Sequence, residues 1–128
     1  MSGAYERVLI VEDDETLARI LERNLARRGV EVRRALTASE ALGIIGGAKP
    51  ELLVLDINLP DRSGWEVLRS LRARGIDIPT IVISAARCAP ERLSEFRPLA
   101  YLPKPFPLEA LIRLVMGEAA TAGEVPAS

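Results

Sequence analysis

Two apolar runs of this chain end in carboxylates. VLIVEDD places Glu12, Asp13 and Asp14 after the first run, and LLVLD places Asp56 after a later one. Carboxylates brought together in a dry crevice repel one another, and each takes up a proton unless a cation neutralises them. The chain contains no histidine, so imidazole is unavailable as base, metal ligand or phosphate carrier. Oxygen donors without nitrogen or thiolate suit a hard cation, which makes Mg2+, or Mn2+ in its place, the expected ion. For one acidic run alone, the plain reading is that Asp13 or Asp14 caps the helix that follows. Two acidic strand ends in one crevice turn the balance toward a metal site.

Two further groups belong to the same constellation. Ser84 closes the run IPTIVIS, where its hydroxyl can hydrogen-bond a phosphoryl oxygen; taken by itself it is a polar strand-end residue. Lys104 stands in YLPKPF. All but two of the 17 basic residues are arginine, the exceptions being Lys49 and Lys104. A lysine is a flexible point charge that reaches across a crevice to a carboxylate or phosphate, whereas the planar fork of arginine demands a different geometry. The plain alternative for Lys104 is a solvated loop residue.

The elements that must position these groups alternate along the chain. Apolar runs at Val8 to Val11, Val30 to Val32, Leu52 to Leu55, Ile78 to Ile83 and Tyr101 to Leu102 are short enough for strands. Between them lie helical stretches: Leu17, Ile20, Leu21 and Leu25 share one face, and Leu42, Ile44 and Ile45 sit in a second helix. Thr37 with Glu40, and Ser63 with Glu66, carry the spacing of a capping box. Pro90 and Pro107 suit first turns, and the last helix repeats Leu108, Leu111, Ile112 and Val115 at i, i+3, i+4, i+7. Five βα units predict a doubly wound, five-stranded parallel sheet of flavodoxin-like order 2-1-3-4-5 with helices on both faces. Ligands of such sheets sit at the carboxyl ends of strands one and three, where the acidic residues are.

Composition sets the outer limits. At 128 residues and 48% hydrophobic content the chain is one ordinary domain with a real core. Basic and acidic residues number 17 and 18, for a net charge of -1, so no long-range field draws it to nucleic acid or an anionic membrane. One cysteine, Cys88, excludes an internal disulfide, no apolar run is long enough to insert in a membrane, and the start does not read as a signal peptide. A cytoplasmic location follows as the expectation.

With these motifs in hand, residues 6–116 resemble the receiver domain of bacterial two-component response regulators, the CheY-like superfamily. Five separated elements agree in order and position: VLIVEDD, LLVLDINLPDRSG, IPTIVISA, YLPKPF and the closing helix. The resemblance implies that Asp56 is the phosphoacceptor. Glu12, Asp13 and Asp56 would bind Mg2+, joined by the backbone carbonyl of Asn58, while Ser84 and Lys104 would hold the phosphoryl group. Ser84 and Tyr101 would form the switch, and Asn58 and Ala86 would tune the lifetime of the acyl phosphate. The implied donor is a phosphohistidine of a sensor histidine kinase or a histidine phosphotransfer protein, with slow self-dephosphorylation. With no effector region following in the sequence, a stand-alone receiver acting on a downstream protein target is expected, without direct nucleic acid binding. The rival reading is a degenerate receiver that serves as a constitutive protein-interaction module.

The sequence also departs from that family. From Ser84 to Lys104 the spacing is short, and Pro90 and Pro98 leave room for a fourth helix of only about Glu91 to Phe96. This leaves a homodimer through that face open. Ala110 and Leu114 make the last helix unusually apolar, either by packing or as a docking patch, with packing the weightier reading. Cys88 reads as an inert loop thiol. A haloacid-dehalogenase-like phosphatase would need an aspartate where Asn58 stands, and dinucleotide binding would need a glycine-rich turn where VEDDET stands. The tail, 117–128, lacks an apolar period and is expected to be disordered.

Overall fold

The structure, a computed structural model, describes residues 5–117 and 125–126. Strands β1 (Arg7–Val11), β2 (Glu31–Ala35), β3 (Leu52–Asp56), β4 (Thr80–Ser84) and β5 (Ala100–Pro103) alternate with α1 (Glu15–Ala26), α2 (Ala38–Gly47), α3 (Gly64–Ala73), α4 (Pro90–Phe96) and α5 (Leu108–Val115). The five strands are parallel and ordered β2-β1-β3-β4-β5. A sixth strand, β6 (Val125–Pro126), absent from the sequence reading, pairs antiparallel with β5. It lies inside the tail expected to be disordered; residues 118–124 and 127–128 of that tail lie outside the described residues.

Period-two alternation along the strands divides the core into two layers. Val8, Ile10, Val54, Ile81 and Ile83 face α1 and α5 and meet Leu21, Leu25, Leu111 and Val115. Leu9, Val11, Leu53 and Leu55 face the other way, against Leu42 and Ile45 of α2 and Val67 and Leu71 of α3. Because both faces are covered, β3 and β4 are buried at every position. Each large side chain so buried contributes roughly 1.5–3 kcal/mol of transfer free energy. On β2, an edge strand, Arg33 and Arg34 stay exposed.

Local signals set most boundaries, with small corrections. Asp14, not Asp13, caps α1, its carboxylate accepting from Thr16 and Leu17 N–H. Ser63 and Glu66 form the reciprocal capping box of α3. Thr37 caps α2 through Glu40 N–H, but the Glu40 carboxylate takes the Leu36 N–H instead of closing a box on Thr37. The second strand begins at Glu31, leaving Val30 just outside it, and β4 begins at Thr80, after Pro79. Ala110 is buried and Leu114 packs on the core, so the apolar surplus of α5 serves packing; Leu108 is half-buried rather than fully so.

Helix α4 is the thinly anchored element. Pro90 starts it, Arg97 ends it in a left-handed conformation (φ 46°, ψ 57°), and among its described residues none is fully buried. A side-chain clamp holds it to α3 instead. Phe96 stacks on Trp65 with centroids 5.6 Å apart, and the Arg72 and Arg69 guanidinium groups lie 4.7 and 5.5 Å from the Phe96 ring centre. Arg72 also donates to the Glu95 carbonyl at 2.7 Å.

Candidate functional site

The C-terminal ends of β1 and β3 are neighbours in the sheet, and this juxtaposition creates the acidic crevice. Pairing of Val11 with Leu55 sets Glu12 beside Asp56. Glu12, Asp13 and Asp56 each offer one carboxylate oxygen, and these lie within 4.8 Å of one another. Glu12 is fully buried and Asp56 is 3% exposed, whereas Asp13 faces solvent. Asp14 is occupied with capping α1, and its own N–H donates to Glu12 Oε2 at 3.1 Å. A donor set of three carboxylates with one side open to solvent fits a hard divalent cation.

Lys104 enters from the end of β5. Its Nζ lies 2.5 Å from Glu12 Oε1 and 3.0 Å from Asp56 Oδ2. Pairing of Ser84 with Pro103, together with a Lys104 N–H bond to the Ser84 carbonyl at 2.8 Å, fixes where that side chain starts. The local electrostatics follow from burial and pairing. Burial pushes the Glu12 carboxyl up to about 7, against the lowering effects of Lys104 and the Asp14 N–H. Burial alone would lower the Lys104 ammonium, but the bonds to Glu12 and Asp56 together raise it.

The loop after Asp56 is held in place by its own backbone. Asn58 N–H donates to Asp56 Oδ1 at 2.9 Å, and Gly64 N–H donates to the Ile57 carbonyl at 2.8 Å. Gly64 packs so closely that a Cβ there would sit 2.6 Å from the Asp56 carbonyl oxygen and 2.9 Å from Ile57 Cα. Asp61, on the same loop, accepts from Ala38 and Ser39 N–H at 2.9 and 3.0 Å, joining the loop to the N-terminus of α2. Those backbone bonds hold the Asp61 carboxyl down at about 2. Neither role was legible beforehand. A glycine after a capping serine signals only the start of a helix, and an aspartate after a proline gives no sign of a helix start 23 residues back along the chain.

Ser84 is 1% exposed at the end of β4, one position beyond Ile83, which pairs with Asp56. Its Oγ accepts from Ala86 N–H at 3.1 Å, while the Ala86 carbonyl accepts from the half-buried Tyr101 hydroxyl at 3.4 Å. Ala86 therefore bridges the hydroxyl and the ring that the family resemblance pairs as a switch. Cys88 is buried beside them with Ile57 and Val82. Burial pushes its thiol up, against the lowering contacts of Tyr101 and Ser84, as suits an unreactive cysteine.

Residues 8–116 match the response regulator receiver domain family, and the chain belongs to it. The chain is 41% identical over 108 residues to the response regulator MprA of Mycobacterium avium, covering 83% of this chain and 47% of that protein. It thus spans about half the length of the curated relatives it matches. Among solved structures it resembles the non-phosphorylated HemR receiver domain of Leptospira biflexa, at 36% identity and TM-score 0.77, over 90% of this chain and 97% of the other. It also resembles a Burkholderia pseudomallei response regulator solved with a phosphorylated aspartic acid, a calcium ion and citrate, at 27% identity and TM-score 0.76, covering 88% and 67% of the two chains. Among the described residues, no helix is long and apolar enough to cross a membrane.

Proposed function

We propose that the chain is a phosphorylation-dependent switch in which Asp56 accepts a phosphoryl group from a phosphohistidine of a sensor histidine kinase or histidine phosphotransfer protein. The observation that carries this reading is the placement of a nearly buried Asp56 carboxylate within ligand distance of Glu12 and Asp13 and 3.0 Å from the Lys104 ammonium. Glu12, Asp13 and Asp56, with the backbone carbonyl of Asn58, hold Mg2+ or Mn2+. The phosphorylated aspartic acid and bound calcium ion of the Burkholderia pseudomallei relative favour this assignment. When bound, the cation neutralises charge on the carboxylates and on the incoming phosphoryl oxygens.

The chemistry asks little more of the protein than position and charge. An Asp56 carboxylate oxygen attacks phosphorus in line, the P–N bond to the donor imidazole breaks, and its electron pair stays on the ring nitrogen. Asn58 N–H keeps the Asp56 carboxylate oriented. Lys104 passes from Asp56 to the phosphoryl group, and the Ser84 hydroxyl, which here accepts from Ala86, donates to a phosphoryl oxygen. Water attacking the same phosphorus reverses the modification slowly, with the side chain of Asn58 and the small Ala86 setting how readily it enters.

The donor reaches Asp56 past a depression of about 430 Å3 beside Lys104, lined by Leu17, Ile20, Phe106 and Leu108. That apolar rim suits a helical protein surface. The signal leaves through Ser84, Ala86 and Tyr101 as a protein contact with a downstream target, in the cytoplasm, without nucleic acid binding or membrane insertion. Intact-mass measurement after incubation with Mg2+ and acetyl phosphate tests the reading: the wild type gains one phosphoryl mass and Asp56→Ala gains none. A folded wild type with no gain would leave the rival reading, a constitutive interaction module.

A further inference from the structure

A second concave feature lies at the opposite end of the sheet from Asp56. It is a groove of about 560 Å3 between the C-terminal turns of α3 and α4 and the loops that lead into β4 and β5. Leu71, Ile76 and Phe96 are among the apolar residues that line it, beside polar ones. Leu99 stands on its edge 46% exposed; among the described residues only Ile20 is another large apolar side chain so open to water. The size falls within the range of about 300–1,000 Å3 that accommodates a ligand or a few side chains.

The charge on the rim is one-sided. Arg72 and Arg97 line it against a single carboxylate, Asp77. Arg72 shares Glu95 with Arg69 and Arg92 at 3.9, 3.7 and 2.8 Å, three guanidinium groups around one carboxylate, so positive charge is in excess there too. Arg97 is exposed and ends α4 in the left-handed region, at φ 46°. Glycine holds that conformation freely, while a residue with a Cβ does so at a cost. The chain thus presents an arginine at the mouth of the groove where the backbone alone would favour glycine.

We propose that this groove is a docking surface for a partner protein segment that inserts an apolar side chain beside Leu99 and sets flanking carboxylates on Arg72 and Arg97. A basic segment is repelled by the rim, and a wholly polar one leaves Leu99 uncovered. The groove acts without any chemistry at Asp56, so it goes beyond the switch proposed above and does not depend on it.

The test uses a fluorophore-labelled synthetic peptide of two leucines flanked on both sides by aspartates, titrated with the full chain and followed by anisotropy. Lysine-flanked and serine-centred versions are run beside it. Saturable, salt-sensitive binding of the aspartate–leucine peptide is expected, weakened about fivefold in Arg97→Gly and about tenfold in Leu99→Asp. Arg97→Gly relieves the left-handed backbone, so its thermal midpoint holds or rises and its weaker binding cannot be laid to misfolding. Absence of saturable binding, equal binding of either control peptide, or wild-type affinity in either variant would overturn the proposal. Because no phosphodonor is present, a failure of Asp56 to take phosphate leaves this result untouched.

Discussion

Lys104 Nζ stands 2.5 Å from Glu12 Oε1 across 92 positions of sequence, and the same ammonium reaches Asp56 Oδ2 at 3.0 Å. Glu12 is fully buried and Asp56 nearly so. Two carboxylates at that depth need a positive neighbour, and Lys104 is the protein's own. A divalent cation held by Glu12, Asp13 and Asp56 would relieve the same repulsion.

Removing the lysine should therefore make the fold more dependent on metal. Lys104→Ala is expected to lose about 2 kcal/mol in chelator, less than a wholly buried pair because the lysine side chain is 21% exposed. Mg2+ should restore more stability to the variant than it adds to the wild type. Urea unfolding with EDTA and with Mg2+ measures both quantities, and an equal Mg2+ increment in the two proteins would contradict the argument.

The loop after Asp56 offers a steric test. In Gly64→Ala the new Cβ would meet the Asp56 carbonyl oxygen at 2.6 Å and Ile57 Cα at 2.9 Å, both of them backbone atoms. Relief requires α3 to move away from the end of β3, at a cost of about 1–3 kcal/mol. Phosphoryl gain at Asp56 should fall in the folded fraction as well. Chemical denaturation and intact mass read the two effects separately, and a variant with wild-type stability would show that the loop yields freely.

Asp61 supplies a pH dependence with a definite sign. Its carboxyl is held at about 2 by the Ala38 and Ser39 N–H groups, below the usual carboxylate value. A group depressed on folding stabilises the protein above its unfolded value and loses that contribution as pH falls through the folded one. Asp61→Ala should thus melt a few degrees below the wild type at neutral pH, with the gap closing between about pH 4 and pH 2. A gap that stays constant across that window would assign the effect to packing.

The clamp on α4 predicts local rather than global weakness. Phe96→Ala removes the stack on Trp65 and the cation–π contacts of Arg69 and Arg72, together worth about 1–2 kcal/mol. Since α4 has no fully buried residue to hold it, it should open by itself. Amide exchange is expected to quicken in residues 90–97 with little change in β3 or β4, and acrylamide should quench Trp65 more strongly. Uniformly faster exchange through the sheet would mean that α4 unfolds only with the whole domain.

What the sequence determined by itself is what depends on near neighbours in the chain. Short apolar runs make strands where their ends carry turn signals. Asp14 and Ser63 cap helices through N–H groups two and three residues on, and Pro90 starts α4 just where its missing N–H costs nothing. The strict alternation of strands and helices was enough for the order of the five parallel strands, and with it the nearness of Glu12 and Asp56. The tertiary structure decided what depends on register and on side chains from distant elements. It gave Asp13 to the acidic cluster and Asp14 to the helix, turned Lys104 onto Glu12, and set Ala86 between Ser84 and Tyr101. It also stacked Phe96 on Trp65 and opened the groove beside Phe96, which no spacing along the chain foretells. The physical reason is one of range: hydrogen bonds of caps and turns close within a few residues, whereas the strand-end carboxylates and the lysine that answers them meet only once five strands have paired.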